Sequence, residues 1–250
     1  QVTQNPLRLN SDAHDAPVLL TSEGFSPLFS MVVPPAMTGE KMVRNESFWS
    51  EKMNTQVINP SLSIHDDGLL EGGMSSGSRD GEGVPRRQQA LVEDGRLTSM
   101  LWSTRDAAQQ VAEGRIDGAQ STGSATSGGH QSPPSTGCTE LFLTSTQPAQ
   151  STDQLLERMG DGYIVNSVMG AHTANPSSGD FSVTTSSILK VEGGEIVGAL
   201  KQAGLSGNLA KALNGPVVLG QEVRRQGSYS SGSMHLPDVL LMDGLRINPA

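Results

Sequence analysis

The chain has 250 residues, 35% hydrophobic and only 4% aromatic, with 29 glycines, which suits one large or two small domains with a core of Leu, Val, Ile, Met and Ala. The formal net charge is −9, and the tightest basic clusters are the pairs Arg86-Arg87 and Arg224-Arg225, so nucleic acid is excluded as a partner, because duplex binding needs clustered cations to displace phosphate counterions. Cys138 is the only cysteine, which excludes an intrachain disulfide, and no apolar run approaches the roughly 18 residues of a membrane helix.

Residues 1–16 are polar and read as a linker or arm without a basic-then-apolar leader pattern, so a cytoplasmic chain is expected. Pro17 to Leu20 reads as a short buried strand, and Thr21 and Ser22 offer N-caps for a helix running toward Met31. Pro34-Pro35 is expected to stop that helix. Phe48 and Trp49 anchor the polar stretch that follows.

Leu62 to His65 alternates as a half-buried strand and ends in Asp66-Asp67-Gly68. Residues 72–83 read as an exposed loop. Residues 89–97 read as a hairpin turning at Glu93-Asp94-Gly95. A helix follows Ser103 and stops at Gly114. Residues 118–136, rich in Ser, Gly and Pro, read as a long surface loop. Leu141 to Leu143 is a strand.

Ser151 and Gln154 form a capping box ahead of Leu155 and Met159, and Gly160 ends that helix. Strands are expected at 163–168, 181–189, 196–200, 217–219, 239–242 and 245–247. Ser206 is expected to cap a third helix carrying Leu209 and Leu213, stopped by Asn214-Gly215-Pro216. The pattern predicts an α+β fold: a large antiparallel sheet or partly closed β-barrel with a few peripheral helices. No fixed-period repeat is visible.

A helical zinc-peptidase site needs two histidines one turn apart with a glutamate between them. None of His14, His65, His130, His172 and His235 is followed by Glu or has a second His within five positions. A metal site would have to be assembled from distant residues such as His65, Asp66, His172 and His235. Gly73-Met74-Ser75-Ser76-Gly77 matches the G-x-S-x-G nucleophile elbow, but loop sequence flanks it where a strand and a helix are required, so it reads as a chance match. Asp66, Asp67, Asp80 and Glu82 are close in sequence and read as turn formers on a solvated loop rather than a cation site. Cys138 lacks a basic neighbour and reads as a small buried hydrophobe.

Three segments carry a family resemblance. They are His172-Thr173-Ala174-Asn175-Pro176-Ser177-Ser178-Gly179-Asp180-Phe181-Ser182-Val183, then Val191-Glu192-Gly193-Gly194-Glu195-Ile196, then Leu205-Ser206-Gly207-Asn208-Leu209. With Leu62 to Gly68, Arg79 to Pro85, Leu91 to Leu97 and Pro237 to Leu245, this ordered set resembles the C-terminal domain of the TldD/TldE (PmbA) metallopeptidase family. The resemblance implies that residues 17–250 are this β-rich domain and that the family's N-terminal α/β domain lies outside the chain.

In the peptidase-type subunit, the helix after the first strand carries His-Glu-x-x-x-His. The corresponding stretch here, Ser22 to Val33, has no histidine, and the late region that would hold a cysteine ligand, Gly227 to Met234, has none either. The resemblance therefore implies a TldE/PmbA-type partner subunit with no catalytic residue and no metal of its own. Zinc is expected in a TldD-type mate, in a hetero-oligomer that degrades or matures peptides. Asn175, Gly179, Asp180 and Phe181 are then candidates for positioning the peptide, although the same turn could simply set strand register. Two other readings stay open: a peptidase with a non-motif metal site, and a stand-alone peptide-binding scaffold.

Overall fold

The computed structural model describes residues 13–127, 129, 132–227 and 232–249. Most of the N-terminal arm, His130 and residues 228–231 fall outside them. In chain order the elements are β1 (His14–Asp15), β2 (Val18–Leu20), α1 (Ser22–Ala36), α2 (Gly39–Val43), β3 (Leu62–Asp67), β4 (Gln88–Glu93), β5 (Arg96–Leu97) and α3 (Thr104–Ala112). Then come β6 (Ala125–Thr126), β7 (Ser135–Thr136), β8 (Glu140–Ser145), α4 (Thr152–Met159), β9 (Gly162–Met169), a 3-10 turn (Ala171–Thr173), β10 (Asp180–Glu192) and β11 (Glu195–Leu200). The chain ends with β12 (Ala203–Asn208), α5 (Leu209–Asn214), β13 (Val217–Gly227), β14 (Ser233–Leu241) and β15 (Leu245–Pro249).

Thirteen strands form one open sheet in the order β1-β15-β12-β10-β9-β2-β14-β8-β3-β4-β5, with β11 added to β10 and β13 to β14; β6 and β7 pair separately. The sheet is mixed rather than wholly antiparallel, and it is not closed into a barrel. β2 runs parallel to β9, and β14 parallel to β8. Parallel partners need long crossovers. The chain supplies them in the segments 21–161 and 146–232, which local turn signals cannot reveal.

The main core lies between one sheet face and α1, whose Phe25, Leu28, Phe29, Val32 and Val33 are fully buried. Their burial is worth on the order of 10 kcal/mol relative to exposure. That packing explains why α1 runs through Pro34-Pro35 to Ala36 instead of stopping before them. A proline loses one backbone bond to the carbonyl four residues back, and in a last turn seated in the core that loss is outweighed. Thr21 caps the helix as expected, accepting from the Gly24 amide. A second, smaller core on the opposite face packs Leu155, Leu156 and Met159 of α4 over Leu19, Ile164 and Leu240.

Several local readings hold and others shift. Asp94 (φ 46°) and Gly95 (φ 78°) make the β4–β5 turn with both central residues in the left-handed region, the geometry that suits a twisted hairpin. Residues 14 and 15, expected in the arm, form β1 against Arg246 and Ile247 of β15. Asn208, not Ser206, caps α5, accepting from the Lys211 amide at 3.0 Å. Ser206 lies within β12, opposite Arg246.

The capping box of α4 is complete. Gln154 N–H donates to Ser151 Oγ at 3.3 Å, and Ser151 N–H donates to Gln154 Oε1 at 2.9 Å. Ser151→Ala is expected to cost about 1 kcal/mol in urea denaturation. An unchanged midpoint would show that the box does not form in solution.

Candidate functional site

The turn that carries the family resemblance is closed on itself. Asn175 N–H donates to the Asp180 carbonyl and Gly179 N–H to the Asn175 carbonyl, both at 2.8 Å. Asn175 Oδ1 takes the Ser177 amide. Asn208 Nδ2 donates to the Ser178 carbonyl and to Asp180 Oδ1, and Ser178 Oγ donates to Asp180 Oδ2. The Ser178 and Asn208 bonds hold the exposed Asp180 carboxyl below its ordinary range. Gly179 supplies a left-handed φ of 82°, and Phe181 is buried in the main core. The turn thereby ties the start of β10 to β12 and α5.

The four acidic residues grouped in sequence are dispersed into separate structural duties. Asp66 Oδ1 accepts the Thr139 and Glu140 amides at 2.7 and 2.9 Å. Asp67 accepts from the Leu69 amide and from Gln88 Nε2. Asp80 takes the Glu82, Val84 and Ala125 amides, and Glu82 takes the first amides of α3, from Thr104 and Arg105. Each carboxylate accepts backbone amides or a side-chain donor, but the loop is not solvated as expected: Asp66, Asp67 and Asp80 are buried, and Asp66 and Asp67 lie within β3.

His65, Phe142 and His235 are register partners across β3, β8 and β14. They stack on the sheet face opposite the main core. The His65 ring lies 4.8 Å from Phe142 at 2°, and the His235 ring 4.1 Å from it at 7°. His235 Nε2 bonds to Glu140 Oε2 at 2.9 Å, while Glu140 Oε1 accepts the Ser75 amide at 2.7 Å. Burial lowers the His65 imidazole, opposed by the Asp67 charge. The G-x-S-x-G segment is thus a loop latched to a buried glutamate, with neither strand nor helix beside it. Neither the Glu140–His235 pair nor this latch was visible in the sequence, because the two residues are 95 positions apart.

A cavity lies at the C-terminal end of α1. It is a cleft of about 370 Å³ between Pro34 and Pro35 of α1, Glu40 and Lys41 of α2, Arg105 and Asp106 of α3, and the Ser135–Gly137 stretch. Pro34 and Pro35 cannot donate to the Ser30 and Met31 carbonyls four residues back. The end of α1 is capped instead by the Met37 and Thr38 amides, which donate to the Pro34 and Pro35 carbonyls. Asp106 is buried, and its Oδ2 accepts the Thr136 hydroxyl at 2.6 Å. Glu40 is paired with Arg44 at 2.9 Å.

A wide mixed sheet with a buried helix directly after β2, and a cleft at that helix's end, defines an α+β domain. Residues 13–247 match the model of the PmbA/TldA metallopeptidase C-terminal domain, and the chain belongs to that family. It is 29% identical to an uncharacterized protein of Methanocaldococcus jannaschii over 87% of this chain and 48% of that protein. It is 25% identical to a metalloprotease PmbA homolog of Haemophilus influenzae over 98% of this chain and 48% of that protein. The crystal structure of TldE from Thermococcus kodakarensis shares the fold, with a TM-score of 0.84 at 22% identity over 99% of this chain and 52% of that one. The chain therefore spans about half the length of the relatives it matches.

The family's name implies a metal, and the described residues do not fit one. α1 contains neither His nor Cys. Among the described residues no group of three or more His, Cys, Asp or Glu side chains is placed to hold an ion. His65 and His235 do approach each other, but the Phe142 ring stands between them. His172 lies on the 3-10 turn before β10 and is exposed.

Proposed function

We propose that this chain is the partner half of a TldD/TldE-type zinc metallopeptidase, carrying no zinc itself and supplying one wall of the chamber in which peptides are degraded or matured. The observation that carries this reading is the chemistry of α1. The helix that bears the zinc motif in peptidase-type subunits here offers only serines, prolines, apolar side chains and Glu23, which is exposed and lies 3.9 Å from Arg224. In this reading the cleft at the end of α1 receives peptide, and the Asn175–Asp180 turn supports it by fixing the start of β10. A second contact is the outer edge of β13, which among the described residues pairs with β14 and, at Gly220, with Gln150. Residues 221–225 are exposed there, and an extended peptide can add to such an edge through main-chain hydrogen bonds with little sequence preference.

The test is the zinc content of the chain purified without chelator, together with its elution beside a subunit bearing His-Glu-x-x-x-His. Close to no zinc, and co-elution, are expected. About one equivalent of zinc surviving dialysis would overturn the proposal, since a structural or catalytic zinc needs at least three protein ligands.

A further inference from the structure

The cleft at the end of α1 is lined by two cations, Lys41 and Arg105, as well as by two acids, Glu40 and Asp106. Lys41 projects from α2 and Arg105 from the first turn of α3. Among the described residues neither cation takes part in an ion pair. The Arg105 guanidinium makes one bond among the described residues, a long one of 3.5 Å to the Pro134 carbonyl.

The acids nearby are already committed. Glu40 is held by Arg44, and Asp106 accepts the Thr136 hydroxyl from a buried position. The terminal amides of α3 are likewise taken, by Glu82 and by Ser103. The last carbonyls of α1 are capped by Met37 and Thr38. What the cleft offers a ligand is therefore an ammonium, a guanidinium, the polar groups of Gln109 and Ser135, and two prolines. The cleft's volume of about 370 Å³ falls in the range of small-ligand sites.

Resting on the reading of this cleft as a peptide site, we infer that it recognises the C-terminal carboxylate of an extended peptide, through Lys41 and Arg105. A guanidinium matches a carboxylate's two oxygens in a planar fork, and an ammonium adds a point charge beside it. The prolines pack against the last side chain. A peptide amine would instead need free acids here, and both acids in the cleft are engaged.

The experiment measures binding of N-acetyl-tetraalanine to the whole chain by calorimetry, in its free-acid and C-terminal amide forms, with unblocked tetraalanine amide as the amine probe. The acid form is expected to bind at least about tenfold tighter than the amide, the scale of one or two charge-assisted bonds. Lys41→Gln with Arg105→Gln should bring the two forms within about twofold while leaving the melting temperature nearly unchanged, since Arg105 is exposed, Lys41 is half-buried, and neither is in an ion pair among the described residues. Equal binding of acid and amide would overturn the carboxylate assignment but keep the peptide site. Preference for the unblocked amine would overturn it in favour of the acids. No binding of any probe would also overturn it, while the partner-subunit reading stands or falls separately on zinc content and co-elution.

Discussion

Alanine at position 24 is expected to destabilise the domain by about 3 kcal/mol, the upper end of what overpacking a tight contact costs, even though alanine is the better helix former by about 1 kcal/mol. Gly24 sits in the first turn of α1, where the helix descends onto β9. A Cβ there would stand 2.4 Å from the Val165 carbonyl oxygen. The same oxygen accepts the Thr21 amide at 3.1 Å, so it cannot swing away without uncoupling the residue that caps the helix. The obstacle is backbone rather than a side chain that could change rotamer, so the strain must move α1 as a body. For a domain of this size the loss corresponds to a fall in melting temperature of roughly 6–12 °C. Gly118→Ala is the matched control. Its Cβ would meet nothing within 4 Å, and its melting temperature should stay within about a degree of the parent. A Gly24→Ala protein that melts with the parent would mean that α1 does not approach β9 this closely. If the variant folds with α1 displaced, the cleft formed by the helix's far end should lose peptide affinity as well.

The sequence made the local grammar of this fold readable. Ser103, Ser151 and Thr21 were identifiable as caps because each precedes a helical pattern, and each does accept an amide of its helix. The Asp94-Gly95 hairpin was identifiable for the same reason: its signal lies within four residues. The misses share the opposite property. β12 was hidden because Gly204, Ser206, Gly207 and Asn208 dilute the alternation of Ala203 and Leu205, and only its place between β10 and β15 makes it a strand. The extension of α1 across Pro34-Pro35 depends on burial, which outweighs a local breaker. The cleft was invisible because Lys41 and Arg105 are 64 positions apart, on helices brought together only by the tertiary fold. The family resemblance reached further than spacing could, since it pointed to the family whose C-terminal-domain model matches residues 13–247. It also directed attention to the Asn175–Asp180 turn, whose polar atoms prove to be engaged with one another and with Asn208.

Asp66 is expected to make the stability of this domain fall as pH rises from about 4 to about 6.5, by up to about 3 kcal/mol. Its side chain lies within β3 on the main-core face, 2% exposed. Burial pushes its carboxyl from 3.8 up to about 6, against the pull of the Thr139 and Glu140 amides and the Arg86 charge. The sign follows from proton counting. Below 3.8 both folded and unfolded chains hold the proton, and the group is neutral in each. Between 3.8 and about 6 the unfolded chain has released a proton that the folded chain retains, so raising the pH favours unfolding throughout that window. Above it both forms are ionised, and the cost of the buried charge is constant. Asp66→Asn removes the titration while keeping an oxygen to accept both amides. The amide's new N–H groups add an offset of either sign, but that offset does not vary with pH. The informative quantity is therefore the difference in unfolding free energy between variant and parent, from urea titrations at about pH 4, 5, 6 and 7.5. That difference should shift in the variant's favour by up to about 3 kcal/mol across the series and level off at its upper end. Taking the difference cancels every other carboxylate that titrates in the same range, including Asp180, whose lowered value acts in the opposite direction. A difference that is flat with pH would show that Asp66 is ionised at its ordinary pKa in the folded chain. The two amides and Arg86 would then outweigh its burial.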